Sequence, residues 1–131
     1  GLVKIADFSL YGSSFLLELI DRGQSEQITP MFVAPEIIRK EKVTPRADQY
    51  SLGITMYMMF AERIPFPVDS IAQLYQCHLR AVPDHPAQVN PKCPLALGDI
   101  ILKLLAKKAE ERFRDCDEVR IALANIGRSR I

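Results

Sequence analysis

The chain opens on Val3-Lys4-Ile5, where apolar and polar residues alternate as they do in a short strand. From Asp7 to Ile28 the alternation dissolves into Gly, Ser and mixed charges, which predicts a long loop. Loops of that length in compact domains are usually functional or mobile. Ala34 to Arg39, with Pro35 near its start, predicts a short helix. Thr44-Pro45 then offers an N-cap followed by proline at the first helical position. The helix predicted from there to about Ala61 carries Leu52, Ile54, Met56, Tyr57, Met58, Met59 and Phe60 around its whole circumference. A helix apolar all round is buried all round, so this one is expected at the centre of the fold, its methionines as core filler. Gly53 in its middle costs about 1 kcal/mol against alanine, and points to a close backbone approach.

Pro65 and Pro67 close that segment, and Asp69 to Arg80 reads as an amphipathic helix with Ile71, Leu74, Tyr75 and His78 at helical spacing. Residues 82–94 hold four prolines and predict an extended surface linker. From Leu95 to Lys107 a single stripe holds Leu97, Ile100, Ile101, Leu104 and Leu105, with Lys103 and Lys107 opposite. The last helix is expected to start at Asp115, whose partner Glu118 completes a capping-box spacing, and to bury Val119, Leu123 and Ile126. One short strand, one loop and four to five helices around a buried central helix make the chain mainly α.

Composition narrows the functional classes. Seventeen Lys and Arg against sixteen Asp and Glu give a formal net charge of +1, which excludes a strongly basic nucleic-acid footprint. The densest apolar run, Leu52 to Ala61, is well short of the roughly 20 residues of a membrane span. No membrane attachment is seen in this segment. Cys77, Cys93 and Cys116 form no CxxC pair and leave an odd one over, which fits a reduced, cytoplasmic setting rather than a disulfide framework. His78 and His85 have no nearby ligand partners in sequence and read as ordinary surface or loop histidines.

Three short motifs carry the chemistry: Lys4-Ile5-Ala6-Asp7-Phe8-Ser9-Leu10, Thr29-Pro30-Met31-Phe32-Val33-Ala34-Pro35-Glu36, and Ala47-Asp48-Gln49-Tyr50-Ser51-Leu52-Gly53. In this order and at these distances they resemble the DFG motif, the T-P-x-Y-x-A-P-E segment and the D-x-W-S-L-G helix of the protein kinase family. The 29 residues from Asp7 to Glu36 match the length of that family's activation segment. The stretch from Pro65 to Val119 is similar to the bacterial, eukaryotic-like serine/threonine kinases. The resemblance implies that residues 1–131 are one partial kinase domain, the C-terminal half or C-lobe. It further implies that the complete domain uses ATP and Mg2+ and phosphorylates Ser or Thr on protein substrates.

The resemblance also implies roles for individual residues. Asp7 matches the aspartate that binds the magnesium bridging the ATP phosphates, and Phe8 the phenylalanine whose packing separates active from inactive states. Thr29 matches a threonine that touches the catalytic aspartate beside the acceptor hydroxyl. Asp48 matches the residue that braces the catalytic loop, and Glu36 and Arg112 match a buried structural ion pair. Ser9 stands at the glycine position of the DFG motif, Ile28 precedes Thr29 in place of glycine, and Phe32 replaces tyrosine. These departures leave a pseudokinase, a binding or scaffold module, as the alternative. The 131 residues contain no glycine-rich phosphate loop, no lysine and glutamate pair of the small lobe and no H-R-D-x-x-x-x-N catalytic loop. Gly1-Leu2, without an initiating methionine, reads as a cut within a gene product, and the chain is expected to be inactive alone.

Overall fold

A computed structural model describes residues 28–128, with side chains from 30 to 127. The strand expected at Val3 to Ile5 and nearly all of the predicted loop lie outside the described residues. Within them the chain is helical and contains no strand. Helix α1 spans Ile28–Met31 and α2 Pro35–Ile38, while α3 runs Arg46–Ala61 and α4 Ile71–Arg80. Beyond them lie α5 (Pro86–Val89), α6 (Leu95–Leu104), a 3-10 turn at Ala109–Glu111, and α7 (Cys116–Arg128).

The all-round apolar pattern of α3 makes it the axis of the fold. Tyr50, Ile54 and Tyr57 are fully buried and Met58 nearly so. Helices α5 and α6 pack on α3, α7 packs on α6, and α4 lies against α1 and α2. The helix begins one residue later than predicted, at Arg46, because Pro45 serves as the cap position. Thr44 still contributes, its Oγ1 accepting from the Arg46 N–H at 3.3 Å. Glu62 ends α3 in the left-handed region, φ 60°, before either proline is reached. One side of α3 is less buried than the pattern implies: Met59 is 46% exposed while Met56 and Met58 are buried. Eleven residues is three helical turns, so Met59 comes round to the same exposed face as Asp48.

Gly53 is where α3 and α6 touch. A Cβ there would sit 2.8 Å from both Leu104 Cβ and Leu105 Cδ2, so only hydrogen leaves room for these leucine side chains against the α3 backbone. The predicted stripe of α6 is buried as expected at Leu97, Ile100, Ile101, Leu104 and Leu105. The helix stops at Leu104 rather than Lys107, and the chain turns there to bring Leu105 against Gly53 and Lys107 Nζ onto the Cys77 carbonyl at 3.0 Å.

Two further local expectations needed correction. The proline-rich stretch 82–94 is not extended throughout: His85 caps a helical turn, its Nδ1 accepting from the Ala87 N–H at 3.1 Å, with Pro86 at the first position. Helix α4 starts at Ile71 rather than Asp69, because Ser70 Oγ accepts from the Gln73 N–H and Gln73 Oε1 accepts from Asp69 N–H. The Asp115 cap of α7 holds as expected, with Oδ1 accepting from Glu118 N–H at 2.9 Å.

Candidate functional site

Residues 28–38 form two short helical turns joined by Phe32 to Ala34 and laid over α3 and α4. Helices of four residues have almost no internal hydrogen bonding, so their position must come from tertiary contacts. Three side chains supply them. His78 Nε2 meets the Pro30 carbonyl at 2.9 Å, Ser51 Oγ donates to the Phe32 carbonyl at 2.7 Å, and Arg112 grips Glu36.

The Glu36 to Arg112 contact spans 76 positions of sequence and is bidentate, NH1 to Oε2 at 2.7 Å and NH2 to Oε1 at 2.8 Å. The guanidinium is fully buried and the carboxylate 7% exposed. Arg112 Nε also donates to the Ala106 carbonyl at 2.8 Å and NH1 to the Arg46 carbonyl at 3.0 Å. With its donors used in a fixed fork, the guanidinium repays much of its desolvation. Burial pushes the Glu36 carboxyl up, yet the Arg112 hydrogen bonds and charge, with Arg39, hold it below the usual carboxylate value. The pair is therefore ionised at neutral pH and ties α2 to the first turn of α3 and to the chain after α6.

His78, expected as an ordinary surface or loop histidine, is instead fully buried, and it meets Tyr50, to which sequence reasoning gave no role. Both are fully buried, and Tyr50 Oη lies 2.7 Å from His78 Nδ1. A carbonyl oxygen only accepts, so the Pro30 contact requires a proton on His78 Nε2, which leaves Nδ1 to accept from the Tyr50 hydroxyl. Burial, reinforced by Lys107 and opposed by the Pro30 bond, lowers the His78 pKa to about 4. Burial likewise raises the Tyr50 phenol far above its ordinary value, against the pull of Arg112. Both groups are thus neutral at pH 7, as this hydrogen-bond pattern needs. Around them Phe66 meets the His78 ring edge-on at 5.5 Å, Arg112 lies over the Tyr50 ring at 5.2 Å, and Lys107 over Phe66 at 4.9 Å. Only the burial of His78 was signalled in sequence: it shares a helical stripe with Leu74, and a histidine on an apolar stripe is drawn into the core.

The other sequence-predicted residues are placed as follows. Asp48 sits in the first turn of α3, and its exposed carboxylate takes no hydrogen bond from the described residues. Thr29 lies in α1 beside Pro30, without its side chain described. Asp7 and Phe8 lie outside the described residues. Among the described residues no group of three or more His, Cys, Asp or Glu could hold a metal ion, and no helix is long and apolar enough to cross a membrane.

A helical body with a short segment pinned across its central helix by a buried Glu to Arg pair is the arrangement of a protein kinase large lobe. The protein kinase domain family matches residues 1–120, and the chain belongs to that family. It is 33% identical over 129 residues to serine/threonine-protein kinase N3 of mouse, a match covering 92% of this chain and 14% of that protein. It is 37% identical over 95 residues to serine/threonine-protein kinase Pkn1 of Myxococcus xanthus, covering 72% of this chain and 14% of that protein. It is also 37% identical over 113 residues to the DNA damage-responsive serine/threonine-protein kinase RqkA of Deinococcus radiodurans, covering 86% of this chain and 17% of that protein. The chain thus spans about a seventh of the length of the first two relatives.

Proposed function

We propose that residues 1–131 are the C-terminal part of a serine/threonine protein kinase domain which, when complete, transfers the ATP γ-phosphate to Ser or Thr hydroxyls of protein substrates in the cytoplasm. The observation that carries this reading is the bidentate Glu36 to Arg112 pair, which docks the segment bearing Thr29 onto the body of the lobe. An unrelated helical interaction domain has no reason to bring these two groups together from 76 positions apart. The names of the relatives support the serine/threonine class.

In this reading Asp7 would hold Mg2+ in the complete domain, and the ion would offset the charge of the ATP phosphates. Asp7 rests on the sequence alone. By the resemblance Phe8 takes the role of the phenylalanine whose packing separates active from inactive states. By the same resemblance Thr29 serves the acceptor side, Asp48 braces the catalytic loop with its exposed carboxylate, and Glu36 with Arg112 is structural. The chain by itself should be inactive, since its 131 residues contain neither the glycine-rich phosphate loop nor the H-R-D-x-x-x-x-N catalytic loop.

A pseudokinase reading draws on Ser9, at a position where glycine would reach positive φ at little cost and any L-residue forced there would pay about 1–2 kcal/mol. Phe32 argues less for it, because its side chain packs partly buried against the core and its carbonyl is held by Ser51. The deciding experiment uses the complete polypeptide with ATP and Mg2+. Transfer of γ-phosphate to Ser or Thr in protein acceptors, cut at least a hundredfold by Asp7→Asn while the thermal midpoint stays put, is the expected result. Unchanged turnover in Asp7→Asn removes Asp7 from the mechanism, and absence of transfer by the unaltered protein favours the scaffold.

A further inference from the structure

We propose that His78 is a positioning residue for the protein-acceptor side of the transfer reaction, fixing the backbone beside Thr29 by donating from Nε2 to the Pro30 carbonyl. The proposal rests on the kinase reading of Thr29 given above. Its geometry stands apart from that reading.

Pro30 has no N–H, and α1 is a single turn, so the carbonyl of Pro30 is the natural handle by which the body can hold this stretch. The carbonyl accepts a long 3.4 Å contact from Val33 N–H and the shorter 2.9 Å bond from His78. The imidazole cannot swing away. Tyr50 Oη fixes its other nitrogen at 2.7 Å, and the Tyr50 and Phe66 rings meet it edge-on, each with centroids 5.5 Å away. Tyr50 in turn lies under the Arg112 guanidinium that grips Glu36. Pro30, His78, Tyr50, Arg112 and Glu36 therefore form one continuous chain of contacts. The two ends of the 30–36 segment are held by the same buried node, so the Thr29 end is registered against the ion pair rather than floating beside it.

The consequence is directional: loss of the Nε2 donor should disturb the acceptor side and spare the nucleotide side. The test uses the complete kinase, with kcat and KM measured separately for ATP and a protein acceptor. His78→Leu, which fills volume without a donor, is expected to lower kcat/KM for the acceptor about tenfold and to leave the KM for ATP within about twofold. His78→Gln, whose side-chain amide can place an N–H near the Nε2 position, should recover most of that loss. Leu123→Ala, a partly buried site on α7, serves as a control for lost stability. Amide exchange over residues 28–36 should quicken in His78→Leu and return towards the unaltered rate in His78→Gln.

Acceptor kcat/KM falling in His78→Leu and Leu123→Ala in step with their thermal midpoints would overturn the proposal, as would failure of His78→Gln to restore either readout. Absence of transfer by the unaltered protein overturns the enzyme reading and the positioning role together. Transfer that His78→Leu leaves unimpaired overturns the positioning role alone.

Discussion

Two arginine to carboxylate contacts of the same 2.7 Å length hold two irregular stretches of this chain, and they sit in opposite surroundings. Arg112 and Glu36 close over the 28–38 segment with side chains 0% and 7% exposed. Arg63 and Asp84 meet at the start of the 82–94 linker with side chains 43% and 70% exposed. The linker has neutral anchors besides: Tyr57 Oη donates to the Asp84 carbonyl and Asn90 Nδ2 to the Phe60 carbonyl. The 28–38 segment has a neutral anchor too, Ser51 Oγ on the Phe32 carbonyl, but its ion pair and its histidine are removed from water. Identical contact distance thus says little about energetic weight. Burial decides it, because removing one member of a buried pair strands the other charge, whereas water replaces the lost partner at the surface.

The sharpest way to break this contrast is Arg112→Ala. It leaves the Glu36 carboxylate buried and unpaired, and frees the Ala106 and Arg46 carbonyls as well. A loss of about 3–5 kcal/mol is expected, read by denaturant unfolding of the complete protein. The double variant Glu36→Leu with Arg112→Met should recover a large part of that, since no charge is then stranded. A loss below 1 kcal/mol for Arg112→Ala would mean that water reaches the pair and the comparison fails.

Acid should loosen the same region next. The His78 pKa is lowered to about 4 in the fold from an ordinary 6.5, so the unfolded chain binds its proton first as pH falls. The stabilisation is complete above about pH 6.5 and is lost as pH drops towards 4, about 3 kcal/mol at most. Tyr50 and Lys107 are the titratable groups facing the ring, and in this window the first is neutral and the second charged. Lys107, lowered by burial to about 8, titrates only above it. Glu36 adds a further loss at lower pH, because its depressed pKa makes its contribution present above about 4.5 and lost as pH falls through the folded value. His78→Gln should flatten the stability profile between pH 6.5 and 4 and keep the steeper fall below. A profile unchanged by that substitution would show that the His78 proton is not coupled to folding.

What the sequence made legible follows the range of the interactions. The buried α3, the close approach at Gly53 and the α6 stripe were readable because periodicity and a misplaced glycine are local signals. The Asp115 cap was readable for the same reason. Glu36 and Arg112 could be paired only through a resemblance, since nothing local links positions 76 apart. The His78 node was not found, because its partners are a hydroxyl 28 residues away and a backbone carbonyl 48 away. No side-chain pattern marks a carbonyl that needs a donor. In the linker, proline density suggested extension, but proline at a first helical position behind a side chain able to cap favours a turn. Asp7, Phe8 and the strand before them lie outside the described residues, so that part of the site stands on motif order.

The smallest effect is expected at Arg63→Ala, and it is the one that calibrates the others. The bond to Asp84 is short and well formed, yet both groups stay open to water, 43% and 70% exposed, where two unit charges in contact gain only about 1 kcal/mol before side-chain ordering is counted. The expected loss is about 0.5 kcal/mol, and it should shrink further at about 1 M salt, where the screening length falls to roughly 3 Å. Arg112→Ala should lose nearly as much stability in high salt as in low, because its partner is shielded from ions as well as from water. The decisive measurement is unfolding of both variants at low and high salt. Parallel salt dependence would mean that the two pairs differ in degree only, and that the 28–38 segment has no privileged anchor. A salt-sensitive surface pair beside a salt-insensitive buried one would locate the constraint on Thr29 in the node of Arg112, Tyr50 and His78.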